Sequence, residues 1–345
     1  MLSTKTNYII KAALTLALLT QSSFLFALSC GDYITRDVTL QADLHCATGY
    51  EVATIAAHNI TIDLNGFTVS GDSNLRGFYI RDFDNLKVIN GTINGFWSGV
   101  QAFNSDNLTV DNVKFYKTGH AITSQGGNSA SIGNNKFIAT RATAVVLNAG
   151  IIGHSSNANN IYNNEFQQTF SAIEICGEPA QRNNIVNNRM WKTADFGIRL
   201  NHASYNKILN NQLLETSGSA IRLDDSSYNQ IIENTLSEGD ASGITLATNS
   251  STGCLNNTFD GVSGRSLKNQ IIDNRISGFS TAVELGVVNI SLPTLVGNQF
   301  SYNDVGNADV GILLDLDTKY NYGRGNVYYN VNQHVQDLGT RNSVD

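Results

Sequence analysis

Three charged residues occupy one recurring setting. Glu174, Arg199 and Arg222 each take the third place of a small-apolar-x-apolar tetrapeptide: Ala172-Ile173-Glu174-Ile175, Gly197-Ile198-Arg199-Leu200 and Ala220-Ile221-Arg222-Leu223. They lie 25 and 23 residues apart, and the chain continues after the second and third as Asn201-His202 and Asp224-Asp225. Only 15% of the residues are charged, against roughly 25% in an average chain, so this grouping is unusual.

The chemistry open to such a cluster is limited. A guanidinium fork grips a carboxylate bidentately, so two neighbouring arginines suit an acidic polysaccharide. Arg or His also stabilises the enolate-like charge formed when the proton beside a uronate carboxylate is removed. That step begins both polysaccharide lyase and uronate epimerase reactions. His202 suits a general base near neutral pH. Asp224 and Asp225 suit acid–base work on a glycosidic bond, or oxygen ligation of Ca²⁺, the one cofactor these residues suggest. Thr245, at the same place one repeat later, and Asn201 are expected to touch substrate. A structural reading stands beside this one: acids and arginines alternating on an exposed sheet face pair across strands and satisfy one another.

All of this requires elements that stack residues some 23 positions apart. Within each tetrapeptide the apolar period is two, the mark of a strand with one buried face. Read along the chain, the x position gives Gln101, Thr123, Val146, Glu174, Arg199, Arg222, Thr245, Glu284 and Leu313. A second block, apolar-x-Asn-Asn-x-apolar, precedes it, and from Asn164 the copies step by 24, 23 and 23 residues to Asn188, Asn211 and Asn234. Later copies are expected at Asn274 and Asn298, with degenerate ones at Asn112, Asn135 and Asn326. Fixed-period self-similarity means a solenoid. Each unit has room for short strands and polar turns but for no helix, which fits an all-β parallel β-helix with equivalent residues about 4.8 Å apart. Stacked asparagines at a tight turn can bond to those above and below, and Asn tolerates the left-handed backbone such turns require. These asparagines are therefore expected to be structural.

The chain of 345 residues carries net charge −7, 43 Asn, 30 Gly and 2 Pro. Its polarity comes from Asn, Ser, Thr and Gly rather than charge, which argues against disorder. The acidic balance without any Lys/Arg run argues against a nucleic-acid partner. Lys5 and Lys11, the apolar run from Ala12 to Leu19 and the small Ala27 read as a signal peptide over 1–27, too short for a membrane span. Its removal would leave a net charge of −9 on a secreted or periplasmic monomer. Ala27-Leu28-Ser29-Cys30 also resembles a lipoprotein box, in which case Cys30 would be acylated. Four cysteines in an exported chain suggest disulfides: Cys30 with Cys46, and Cys176 with Cys254 only if the fold brings them together. No metal-ligand spacing occurs. Residues 28–57 are expected as an N-terminal cap, 58–326 as the β-helix and 327–345 as a C-terminal cap. The step from Asn234 to Asn274 is 40 residues, so Ala247–Lys268 reads as a long excursion, with shorter ones near Ala149–Ser156 and Leu316–Arg324.

The segment Cys30-Gly31-Asp32 through Asp43-Leu44-His45-Cys46, then Asn59-Ile60-Thr61-Ile62-Asp63-Leu64-Asn65-Gly66, resembles the opening of bacterial secreted right-handed parallel β-helix proteins. That superfamily includes pectate lyase-like enzymes and periplasmic copper-binding β-helix repeat proteins. The resemblance implies a single-stranded right-handed parallel β-helix of about ten coils. It leaves function open, because this fold hosts several chemistries, with a non-catalytic glycan- or surface-binding role as the alternative to a lyase or epimerase. Of the polygalacturonase motifs only Asp224-Asp225 is present; Gly119-His120-Ala121 departs from Gly-His-Gly. The Asp-Pro-His-Asp of alginate epimerases is absent. Six His without His-x-His or Met clusters argue against copper.

Overall fold

The computed structural model describes residues 27–149, 155–178, 180–248, 265–287 and 295–345. The expected signal segment (apart from Ala27), Cys254 and most of the expected 247–268 excursion therefore lie outside the described residues. The chain winds into a parallel β-helix of about twelve coils, and no helix forms among the described residues. No helix among the described residues is long and apolar enough to cross a membrane.

Each regular coil contributes three strands. The coil that carries Arg199 shows them as Arg189–Thr193, Ile198–Asn201 and Lys207–Leu209. The strands formed by the small-apolar-x-apolar blocks stack in register into the first sheet. Val146 pairs with Glu174, Glu174 with Arg199, Arg199 with Arg222, Arg222 with Thr245, Thr245 with Glu284 and Glu284 with Leu313. The flanking apolar residues turn inward as a file of Val145, Ile173, Ile198, Ile221 and Ile244, all sealed from solvent. On another sheet Phe115, Phe137 and Phe166 stack at centroid distances of 5.2 and 4.6 Å. Burial of these files is the main favourable term, because each short strand buries little alone.

The asparagine blocks form the corner between the other two sheets. Asn211 accepts the backbone N–H of Asn188 at 2.9 Å through Oδ1. Its Nδ2 donates to Asn234 Oδ1 at 3.0 Å, and to the carbonyls of Ile185 at 2.9 Å and Leu209 at 3.0 Å. The same pattern runs through Asn135, Asn164, Asn188, Asn234, Asn274, Asn303 and Asn326. The left-handed residue of each turn is not the rung but its predecessor: Asn163, Asn187, Asn210 and Glu233 have φ between 52° and 57°. The rung is buried and fully bonded, so the strain falls on the exposed neighbour.

A second ladder runs five residues upstream through Asn159, Asn183, Asn206, Asn229, Asn269, Asn298, Asn321 and Asn342. Asn298 belongs to this ladder, and the first continues through Asn303. Asn112 is not a rung either; its neighbour Val113 donates its N–H to Asn135 at 2.9 Å. Leu316–Arg324 is no excursion, since it holds the rung Asn321 between Thr318–Lys319 and Tyr322–Gly323.

The segments 28–57 and 327–345 carry strands that continue the sheets. Asp32–Ile34 pairs with Glu51–Ile55, and Val327–Asp337 with Asp304–Leu314. Cys30 and Cys46 form a disulfide, so Cys30 sulfur is spent and is not the acylated thiol of a lipoprotein. Cys176 is disulfide-bonded as well, and its expected partner Cys254 lies outside the described residues. Such bonds persist in an oxidising, extracytoplasmic compartment.

Candidate functional site

On the first sheet the residues between the inward apolar positions point to the outer face. There the stacking brings together the whole predicted set: Glu174, Arg199, Arg222, Asn201, His202, Asp224, Asp225 and Thr245. Its centre is Asp224, whose side chain is 0% exposed. Arg199 Nε donates to Asp224 Oδ2 at 2.8 Å, and Arg222 Nε donates to Oδ1 at 2.9 Å and Oδ2 at 3.1 Å. Arg199 Nη1 also faces Glu174 Oε1 at 3.6 Å. One sealed carboxylate thus anchors two guanidiniums, and a second acid closes the row.

Exposure separates their roles. The side chains of Glu174 and Arg199 are 17% and 14% exposed, while Arg222 is 30% exposed. Arg222 spends its Nε–H on Asp224, and its Nη groups carry no hydrogen bond among the described residues. His202 is held by both ring nitrogens, Nδ1 at 2.8 Å from Asn201 Oδ1 and Nε2 at 3.4 Å from Asp225 Oδ2. It and Asp225 stand in the left-handed turn, with φ of 53° and 48°. Thr245 is buried, its hydroxyl 2.8 Å from that of Ser219.

Two members of the cluster escape a reading of the x column. Phe196 lies beneath both guanidiniums, 5.1 Å from Arg199 Cζ and 5.7 Å from that of Arg222. Asp195, beside it, accepts a hydrogen bond from Ser171 Oγ at 3.3 Å. Both sit in the turn that enters Ile198–Asn201. The chain gives them no periodic signal; a scan of both ends of each charged strand would have found them.

Burial pushes the Glu174 carboxyl above the ordinary range; Arg199 opposes this, while Asp224 and Asp195 add to it. Burial also raises Asp195, against the Ser171 hydrogen bond and the two arginines. The sign for stability follows by linkage. A carboxyl raised in the fold holds its proton more tightly there than in the unfolded chain. Its contribution is present below the unfolded pKa and is lost as pH rises through the folded one. Glu174→Gln is therefore expected to flatten the fall in thermal midpoint above the ordinary carboxylate range. A pH profile parallel to that of the native protein would contradict this.

The Asp224–Asp225 pair does not fit Ca²⁺. Both oxygens of Asp224 are occupied by guanidinium donors, and Asp225 faces His202. A hard cation would sit against two positive charges.

Residues 140–266 match the family model described as "Periplasmic copper-binding protein (NosD)". None of the curated proteins matches the chain. Among solved structures, the A-module of the Azotobacter vinelandii mannuronan C-5 epimerase AlgE6 superposes with a TM-score of 0.66 at 12% identity, over 92% of this chain and 90% of that one. The catalytic domain of a GH87 alpha-1,3-glucanase in complex with nigerose gives 0.58 at 14%, over 91% and 63%. PfbA, a surface adhesin of Streptococcus pneumoniae, gives 0.59 at 14%, over 89% and 83%. At these identities the likeness is one of fold, and this chain is a right-handed parallel β-helix. The described residues offer no set of ligands suited to copper. Among the described residues no three His, Cys, Asp or Glu side chains converge as ligands, no cysteine is free, and Met190 is sealed in the core.

Proposed function

We propose that this right-handed parallel β-helix protein works outside the cytoplasm, binds an acidic polysaccharide on the outer face of its first sheet and acts on a uronate there. The observation that carries this reading is Arg222: oriented by a sealed carboxylate at Nε, open at Nη, and stacked in register between Arg199 and Thr245. A sugar carboxylate fits that free edge bidentately. The other groups fall into supporting roles. Asp224 fixes both guanidiniums, Phe196 backs them, and His202 with Asn201 and Asp225 locks the turn that closes the strand.

Asp195 is the proton carrier in this scheme. It takes the proton from the carbon beside the carboxylate, and the electron pair moves into the carboxyl group as an enolate-like dianion held by Arg222. Expulsion of the linked oxygen at the neighbouring carbon, which takes up the proton held by Asp195 and leaves as a hydroxyl, then gives an unsaturated uronate. Delivery of a proton from water to the opposite face gives the epimer instead, the resulting hydroxide being neutralised by the proton that Asp195 releases. Resemblance to a mannuronan epimerase and an alpha-1,3-glucanase supports a polysaccharide ligand for such a fold. A non-catalytic reading has one observation in its favour: His202 and Asp224 are both internally engaged, leaving few groups for proton transfer.

A panel of polyuronates separates these readings, with unsaturated product followed by absorbance and C-5 inversion by proton NMR, each with and without Ca²⁺. The native protein is expected to turn over at least one substrate. Arg222→Ala should lose roughly 10²–10³-fold in rate, and Asp195→Asn should bind without turnover. Binding without product on any substrate would leave the non-catalytic role, and absence of binding would sink both.

A further inference from the structure

A different face of the solenoid carries a groove of about 510 Å³, beside the corner that follows the first sheet. One wall is a file of turn residues. Tyr205 and Tyr228 stack face to face, with centroids 4.8 Å apart and planes 3° apart, and Lys268 Nζ lies 5.7 Å from the Tyr228 ring. The facing wall is the outer row of the second sheet, where Gln230, Gln270 and Gln299 stack in register and end on Tyr322. Gln230 Nε2 donates to Gln270 Oε1 at 2.9 Å, and Tyr322 hydroxyl donates to Gln299 Oε1 at 3.4 Å.

The groove exists because the turn file has a gap. Gly297 follows Lys268 in the stack and lines the groove; a Cβ there would meet only Lys268 Cγ, at 3.5 Å. Tyr205, Tyr228 and Tyr322 are exposed by 50%, 40% and 49%, so their ring surfaces face the groove open to solvent. The residues lining the groove include one lysine and no acid, although the whole chain has net charge −7.

We infer that this groove is a second carbohydrate-binding site, taking an oligosaccharide along the solenoid axis. Each chemical feature of a pyranose chain has a counterpart. Tyrosine rings offer apolar surface to the C–H faces of sugar rings, with little side-chain freedom to lose. Glutamine amides present donors and acceptors in a plane to paired hydroxyls. Four coils at about 4.8 Å per step give a trough about 14 Å long. Lys268 adds a point charge for a sugar carboxylate. The site stands on its own observations and does not depend on uronate chemistry at Arg222.

Binding of three hexasaccharides, α-1,4-galacturonate, β-1,4-mannuronate and cellohexaose, by calorimetry to the full chain tests it. The variants are Tyr228→Ala, Gln270→Ala and Arg222→Ala, with circular dichroism and thermal midpoints to show that each folds. At least one hexasaccharide is expected to keep a component of binding in Arg222→Ala. That component should weaken about tenfold or more in Tyr228→Ala and Gln270→Ala. If Arg222→Ala abolishes all binding while the groove variants bind as the native protein does, the inference is wrong and the first-sheet reading stands. If no hexasaccharide binds the native chain, the groove is not a carbohydrate site.

Discussion

Asn211→Ala is expected to destabilise the protein by about 3–5 kcal/mol, since several buried groups lose partners at once. The backbone N–H of Asn188 loses its acceptor, and the carbonyls of Ile185 and Leu209 lose a donor. The side chains of Asn188 and Asn234 lose their links as well. Water cannot replace these bonds at a site closed on both sides by neighbouring coils. Asn210→Gly is the paired control. Asn210 is one residue away, at φ 52° and bonded at 2.7 Å to Asn187 on the surface. Glycine adopts that backbone freely, so the change should stay within about 1 kcal/mol. Chemical denaturation reads both, and equal effects from the two substitutions would refute the assignment of Asn211 as the rung.

Asp224→Ala carries the second large effect, about 3–5 kcal/mol, because it strands Arg199 and Arg222 beside a sealed hole. The figure measures uncompensated charge rather than the worth of the ion pairs. An apolar triple replacement, Arg199→Met, Asp224→Leu and Arg222→Met, should therefore regain most of the stability. It should not regain the Arg222-dependent component of uronate binding, since no guanidinium remains on the first sheet to receive the sugar carboxylate. Thermal midpoints and calorimetric titrations on the same samples separate the two. A triple variant that binds acidic sugar as the native chain does would remove the arginines from the account.

The stacking of distant residues was legible because it rests on side-chain period alone. A two-residue alternation repeated every coil leaves one solution, and Glu174, Arg199 and Arg222 meet in register as that pattern demands. Registers at the corners were less legible. Asn298 looks like a rung of the first ladder because Val296 and Phe300 flank it, yet a second Asn-x-apolar step five residues later, at Asn303, is the one that continues that ladder. Asn112 fails for the opposite reason, since the adjacent Val113 holds the rung position without an asparagine. The site itself was half visible. Its arginines and acids recur with the coil, whereas Asp195 and Phe196 occur once, in a turn whose neighbours are Phe170-Ser171 and Gly218-Ser219. Which of the charged groups would be sealed was also hidden. Asp224 and Asp225 are adjacent in sequence, but strand alternation and the left-handed turn send one between two arginines and the other to His202.

The most direct measurement is a structure of the full chain with a uronate hexasaccharide at saturation. The account predicts a sugar carboxylate on the Nη edge of Arg222, with the carboxyl of Asp195 within hydrogen-bond reach of the carbon beside it. Sugar density that avoids the first sheet, with Arg222 untouched, would contradict it.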